Sequence, residues 1–204
     1  MSDASCDSAL LQKLLSATAE YLRGREPLAE FVDAFGTTAR APAPQPKDTV
    51  PFVKPPDGLA FVRSHEPLQS SLLNALSAAN PTLIWRKNPT YTDVEFLDRY
   101  AYTELLGPSG LVHHGSVSAG LLYLAPQTFY PPHAHPAEEI YHLISGRSVW
   151  QQGDQPSRDC VSGARIHHAS GVAHCMRSGE EPLLALYLWR GDLRSPALLV
   201  EFEG

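Results

Sequence analysis

Four side chains in this sequence have the types and spacing to grip one metal ion, and a fifth can move a proton beside it. The segment runs Tyr130-Pro-Pro-His133-Ala-His135-Pro-Ala-Glu-Glu139-Ile-Tyr141 and closes at Gly146. Alternate residues of an extended strand share a face, so His133 and His135 point the same way. Glu139 and Tyr141 repeat that parity on the following strand, after a turn favoured by Pro136. One hairpin is thus expected to bring two imidazoles, a carboxylate and a phenol together. His174 is expected to arrive from the turn Ser170-Gly171-Val172-Ala173 as a further imidazole. Neutral imidazoles with one carboxylate suit a divalent transition ion, Fe(II), Ni(II), Zn(II) or Mn(II), and the donor set alone does not choose among them. A single strand histidine is ordinarily a polar residue on a wet face. An alternating pair followed four residues later by Glu is poorly explained that way.

The elements that must hold these residues fall into two textures. Leu10, Leu11, Leu14, Leu15, Ala19 and Leu22 recur at helical spacing and predict a helix over 8–23. A second short helix is expected over 27–35, with Pro27 in its first turn and Gly36 ending it. Residues 41–56 carry six prolines, a density that predicts an extended connector. A third helix is expected over 67–79. Beyond Asn80 come short apolar runs at 100–106, 117–124, 140–144, 148–151, 164–166 and 183–189, bounded by Gly, Pro or Asp. Strands at this spacing predict a β-sandwich or barrel. The expected division is a helical extension over 1–80 and one barrel over 81–204. The extension is expected to pack against the barrel or a neighbouring subunit, or else to cover the barrel mouth.

Composition narrows the partners. Sixteen Lys and Arg against twenty-two Asp and Glu give a net charge of −6, and no basic run is present to meet a phosphate backbone, so nucleic acid is not expected. No segment approaches the ~18 apolar residues of a membrane span, and the first fifteen residues do not read as a secretory leader. Three cysteines, Cys6, Cys160 and Cys175, fit no zinc-ribbon spacing. Reduced thiols and a cytoplasmic location are the expectation.

The order His-x-His, three residues, Glu, six residues, Gly146 resembles the first signature of the cupin superfamily. Gly163, Gly171 and His174 approximate the second, with Ala169 where Pro is usual and Ser178 where Asn is common. Closer still, Tyr130, His133, His135, Glu139, Tyr141 and His174, with Trp189 downstream, resemble the active-site pattern of the cupin-type dimethylsulfoniopropionate lyases, and the likeness runs from about residue 80 to the end. The resemblance implies a mainly β chain, a single jelly-roll-like cupin barrel with N-terminal helices. It implies one divalent ion on His133, His135, Glu139 and His174, and β-elimination of a zwitterionic sulfonium carboxylate to acrylate and dimethyl sulfide. Tyr141, placed beside Glu139 by parity, is the expected base, and the resemblance adds Tyr130. His133 and Trp189 are expected to touch substrate, and a homodimer is the candidate assembly. Trp85, Tyr100, Tyr102 and Tyr123 are aromatics that can face a sulfonium, although barrel aromatics are ordinarily core. His142, of opposite parity to Tyr141, is expected to face away, and His113 and His114 to meet solvent. His167 and His168 lie near the key residues without an assigned role. Two further readings stay open: another mononuclear-metal cupin enzyme, a dioxygenase or isomerase, and a non-catalytic cupin that binds a small ligand.

Overall fold

The computed structural model describes residues 3–23, 25, 33–35, 52–53, 62 and 66–201. In chain order its helices are α1 (Asp3–Leu22), α2 (Pro67–Ala79) and α3 (Val94–Asp98). The strands are β1 (Phe52–Val53), β2 (Trp85–Arg86), β3 (Tyr100–Gly107), β4 (Val112–His113), β5 (Val117–Leu124), β6 (Phe129–Ala134), β7 (Glu138–Ser145), β8 (Arg147–Gln152), β9 (Arg158–Val161), β10 (Arg165–His168), β11 (His174–Ser178), β12 (Leu183–Arg190) and β13 (Leu198–Leu199). They form two sheets, ordered β1-β2-β3-β5-β12-β7-β10, with β4 parallel to β3, and β13-β6-β11-β8-β9. This is the mainly antiparallel two-sheet architecture with N-terminal helices that the sequence predicts.

The central strands explain the layering. β5 (VSAGLLYL) and β12 (LLALYLWR) lack the apolar–polar alternation of a sheet with one wet face, so both of their faces need cover. One face, with Leu121, Leu186 and Leu188, packs beneath the helices, where Leu14 and Leu22 of α1 and Leu72 of α2 are buried. Each such side chain contributes roughly 1.5–3 kcal/mol by leaving water. The other face, with Leu122, Leu183 and Ala185, meets Trp150 and Met176 of the second sheet. Trp85 and Tyr123 belong to the helix-side layer, so they do not face the barrel interior.

Local signals set the element ends. α2 begins with Pro67 in its first turn and with Glu66 accepting from the Gln69 N–H, and it spans the predicted 67–79. α3 starts where the Asp93 carboxylate accepts from the Glu95 and Phe96 amides. Gly146 joins β7 to β8 at φ +88°, and a Cβ there would lie 2.4 Å from the Pro182 carbonyl oxygen. α1 starts a turn earlier than predicted, because Asp3, Ser5 and Asp7 carry no apolar periodicity. Within the predicted 27–35 helix only 33–35 are described, and they are helical. Most of the proline-rich 41–56 lies outside the described residues, but Phe52–Val53 pairs with Trp85–Arg86 at the sheet edge.

Two expectations about the chain around the site are corrected. β6 and β7 are not a hairpin: β6 pairs with β11 and β13 in one sheet, while β7 pairs with β12 and β10 in the other. Residues 135–137 carry the chain from sheet to sheet. His174 opens strand β11 instead of ending a turn.

His142 faces away from the barrel interior, as parity predicts, yet it is buried against α1, its ring 6.2 Å edge-on from Tyr21. Burial, with the charges of Arg25 and Arg165, lowers its pKa to about 4. In the unfolded chain it titrates near ~6.5. Between those values the folded state binds fewer protons, so stability present above pH ~6.5 is lost as pH falls towards 4. His142→Leu is expected to flatten urea-unfolding stability across that window, removing on the order of 3 kcal/mol of acid sensitivity. An unchanged pH slope would place the acid sensitivity elsewhere.

Candidate metal centre

The corner between the sheets gathers the expected residues. His133, inside β6, lies directly opposite His174 on β11, with ring centroids 4.2 Å apart. His135 stands one residue past the end of β6. Its carbonyl accepts from the Gly171 N–H, and the Pro136 carbonyl accepts from the Ser170 hydroxyl. The loop before His174 is thereby tied to the corner. Glu139 enters from the opposite sheet, and its Oε2 lies 3.0 Å from His135 Nε2 and 3.2 Å from His174 Nε2. All four side chains are at most 3% exposed.

The hydrogen bonds of these imidazoles point to a cation. The Nδ1 atoms of His133, His135 and His174 each lie 2.9 Å from a backbone carbonyl two residues away, of Pro131, Ala137 and Val172 respectively. A carbonyl only accepts, so each Nδ1 carries the proton, and in a neutral ring Nε2 keeps its lone pair. The Nε2 atoms of His133 and His174 have no hydrogen-bond partner among the described residues. Lone pairs converging beside a buried carboxylate repel one another unless a positive charge sits between them. The donor atoms of His133, His135 and His174 lie within 4.8 Å of one another. The residues therefore fit a single divalent ion of the kind three imidazoles and a carboxylate accept.

Electrostatics tie the carboxylate to its neighbours. Burial alone would raise the Glu139 carboxyl, but the adjoining imidazoles of His135 and His174 hold it well below the usual carboxylate range. Burial lowers His135, but the Glu139 carboxylate outweighs it and the ring ends above its ordinary value. His133 goes the other way, because burial and neighbouring His174 disfavour its charged form.

The two expected phenols border the cluster. Tyr141 follows Glu139 on β7 and faces Tyr187 across the β7–β12 pairing. Tyr130 has the wrong parity to share a face with His133 in a regular strand. The β6–β11 pairing shifts register between His174 and Met176, and such an irregularity re-aims side chains. Tyr130 therefore also turns inward, and its ring stacks on His133 at 4.1 Å and 11°. Its hydroxyl lies 3.0 Å from that of Tyr91. Burial pushes both Tyr130 and Tyr141 well above the ordinary phenol range, with neighbouring tyrosines adding to it at Tyr130 and the Glu139 charge at Tyr141. Trp189 donates its indole N–H to Glu139 Oε1 and covers His135 at 4.2 Å.

A cavity of about 220 Å³ opens on this group, lined by Tyr130, Glu139, Tyr141 and Trp189 and by Arg86 and Glu104. Segment 193–197 also lines it, pinned by Asn88 and Thr90, both of which donate to the Ala197 carbonyl. Tyr100 and Tyr102 also line it, whereas Trp85 and Tyr123 do not. Sequence reasoning missed three residues here. Tyr91 follows Asn88-Pro89 with no periodic signal. Tyr187 lay inside an apolar run. His168, completely buried, stacks on His174 at 3.8 Å and 8°, and its shared parity with Ile166 was the one sign of it. His167 is exposed and bonds Glu138. His113 is exposed, and His114 accepts from the Val117 N–H. Cys160 and Cys175 are free and buried. No helix among the described residues is long and apolar enough to cross a membrane.

Comparison with known proteins places this geometry in context. A family model described as dimethylsulfoniopropionate lyase matches residues 27–185. The dimethylsulfoniopropionate lyase DddQ of Ruegeria pomeroyi is 33% identical over 199 residues, covering 93% of this chain and 94% of that protein. The putative dimethylsulfoniopropionate lyase DddL of Cereibacter sphaeroides is 29% identical over 175 residues, covering 83% of this chain and 70% of that one. The crystal structure of the Ruegeria pomeroyi DddQ superposes with a TM-score of 0.79 at 30% identity, covering 96% of this chain and 98% of the other.

Proposed function

Because this chain belongs to the dimethylsulfoniopropionate lyase family, we propose that it is a metal-dependent carbon–sulfur lyase cleaving dimethylsulfoniopropionate to acrylate and dimethyl sulfide. The observation that carries the metal dependence is the set of three imidazoles with Nδ1 tied to carbonyls and Nε2 turned on one buried carboxylate. His133, His135, Glu139 and His174 would hold a divalent ion, which would supply Lewis acidity to the substrate carboxylate and so to its α-carbon. Tyr141 takes the α-proton on its phenolic oxygen. The C–H electron pair becomes the second bond between the α- and β-carbons, the bond from the β-carbon to sulfur breaks, and neutral dimethyl sulfide leaves with the electron pair of that carbon–sulfur bond. Burial and Glu139 favour the phenol form of Tyr141, and a cation held beside that carboxylate would favour the phenolate that accepts the α-proton. Trp189 fixes Glu139 and offers its face to the sulfonium, an attraction of ~0.5–2 kcal/mol. Tyr130 serves as a second hydrogen-bonding phenol lining the cavity. Residues 1–80 act as an extension whose helices cover the outside of the first sheet, and buried free thiols suit a reducing cytoplasm.

The test is headspace detection of dimethyl sulfide from the purified chain loaded in turn with Fe(II), Ni(II), Zn(II) and Mn(II), after chelation as control. Release that depends on an added ion is expected. Silence under all four ions rejects the lyase, and equal release after exhaustive chelation rejects its metal dependence.

A further inference from the structure

His168 is used by no step above, yet it is among the most secluded polar side chains in the barrel. It has no exposed surface, and neither ring nitrogen has a hydrogen-bond partner among the described residues. Leaving a buried polar group unpaired costs about 1–3 kcal/mol, and such a group calls for a partner outside the polypeptide. Its position says what that partner is. His168 lies directly across the β7–β10 pairing from Glu139, flat against His174, with Trp150 also stacked on it at 5.7 Å. Donor atoms of Glu139, His168 and His174 all lie within 4.8 Å of one another, as do those of His133, His135 and His174.

We infer that these two triads are alternative seats for a single ion, sharing His174, and that His168 sets which ions the protein prefers. The inference rests on the reading that the cluster holds an ion. The first seat is dominated by three imidazoles with Glu139 beside them; the other pairs that carboxylate with two imidazoles. Imidazole donors suit Zn(II) and Ni(II), whereas a carboxylate oxygen suits Mn(II), so the Glu139–His168–His174 seat favours the manganous ion. The rings of His168 and His174 lie parallel, 3.8 Å apart. Engaging both requires His168 to turn about its Cβ–Cγ bond, and among the described residues it has no hydrogen bond to break in doing so.

His168→Phe keeps a flat ring between Trp150 and His174 and removes both nitrogens. Dissociation constants for Mn(II) and Zn(II) are measured on the full chain by competition with a chromophoric chelator, alongside melting temperature. His168→Phe is expected to weaken Mn(II) at least about tenfold, the scale on which residues supporting a centre act, and to leave Zn(II) unchanged. His133→Phe is expected to do the reverse. Should the Phe variant fail to fold, His168→Gln replaces it, with an amide oxygen retaining part of the Mn(II) affinity and Zn(II) again unchanged. Loss of both ions in equal proportion, or of neither, overturns the two-seat arrangement. If the wild-type chain binds neither ion, metal dependence falls along with it. If it binds both and releases no dimethyl sulfide, the lyase reading alone fails.

Discussion

Tyr141→Phe is expected to lower kcat for dimethyl sulfide release by about 10²–10⁴-fold, the usual worth of a positioned proton acceptor, with ion content and KM near wild type. The ring position survives, because Trp150 at 5.0 Å and Tyr187 across the strand pair hold the aromatic plane, not the hydroxyl. The donor set does not depend on the hydroxyl alone: the three imidazoles are set by backbone carbonyls, and Glu139, which the Tyr141 hydroxyl also meets, is held by Trp189. Tyr130→Phe is expected to act more weakly, since its hydroxyl is engaged with Tyr91 and its ring already supports His133. Kinetics and elemental analysis of the two variants decide the matter. Turnover surviving in the Tyr141 variant removes it as the base, and a loss of bound ion makes it part of the centre.

The second large effect is structural. Gly120 on β5 lies between Glu104 of β3 and Tyr187 of β12 in the pairing. A Cβ there would lie 2.0 Å from the Thr103 carbonyl oxygen and 2.6 Å from the Tyr187 hydroxyl oxygen. The tyrosine can swing, but the carbonyl cannot move without parting β3 from β5. Gly120→Ala is expected to destabilise the chain by about 1–3 kcal/mol or more, as overpacking does, read from urea unfolding. It also displaces Tyr187 from the cavity wall, so activity should fall in the fraction that remains folded. Wild-type stability in this variant would mean that the strands part there at little cost.

The sequence was informative wherever one local signal decided the outcome. Pro67 with its leucine period defined α2, and the doubly buried β5 appeared as a run with the observed limits. Four of the site residues came from donor type and spacing, and the structure brings them together. The pairing of β6 and β7 was not legible, because Pro136 reads equally well as a hairpin turn or as a crossing. The bonds that settle it, from Ser170 and Gly171, come from residues more than thirty positions away. β9 (RDCV) and β11 (HCMRS) carry no apolar run, and their place is fixed by neighbouring strands. Tyr130 turns inward through a register shift that no residue type announces.

The crossing at 135–137 has a mechanical consequence. Glu139 belongs to one sheet and His133 and His174 to the other, so an ion shared among them would act as a rivet between the two layers. Prying the layers apart would then tear coordination bonds as well as apolar contacts, and amide exchange in β7 and β11, remote in sequence, would slow in concert when the rivet is in place.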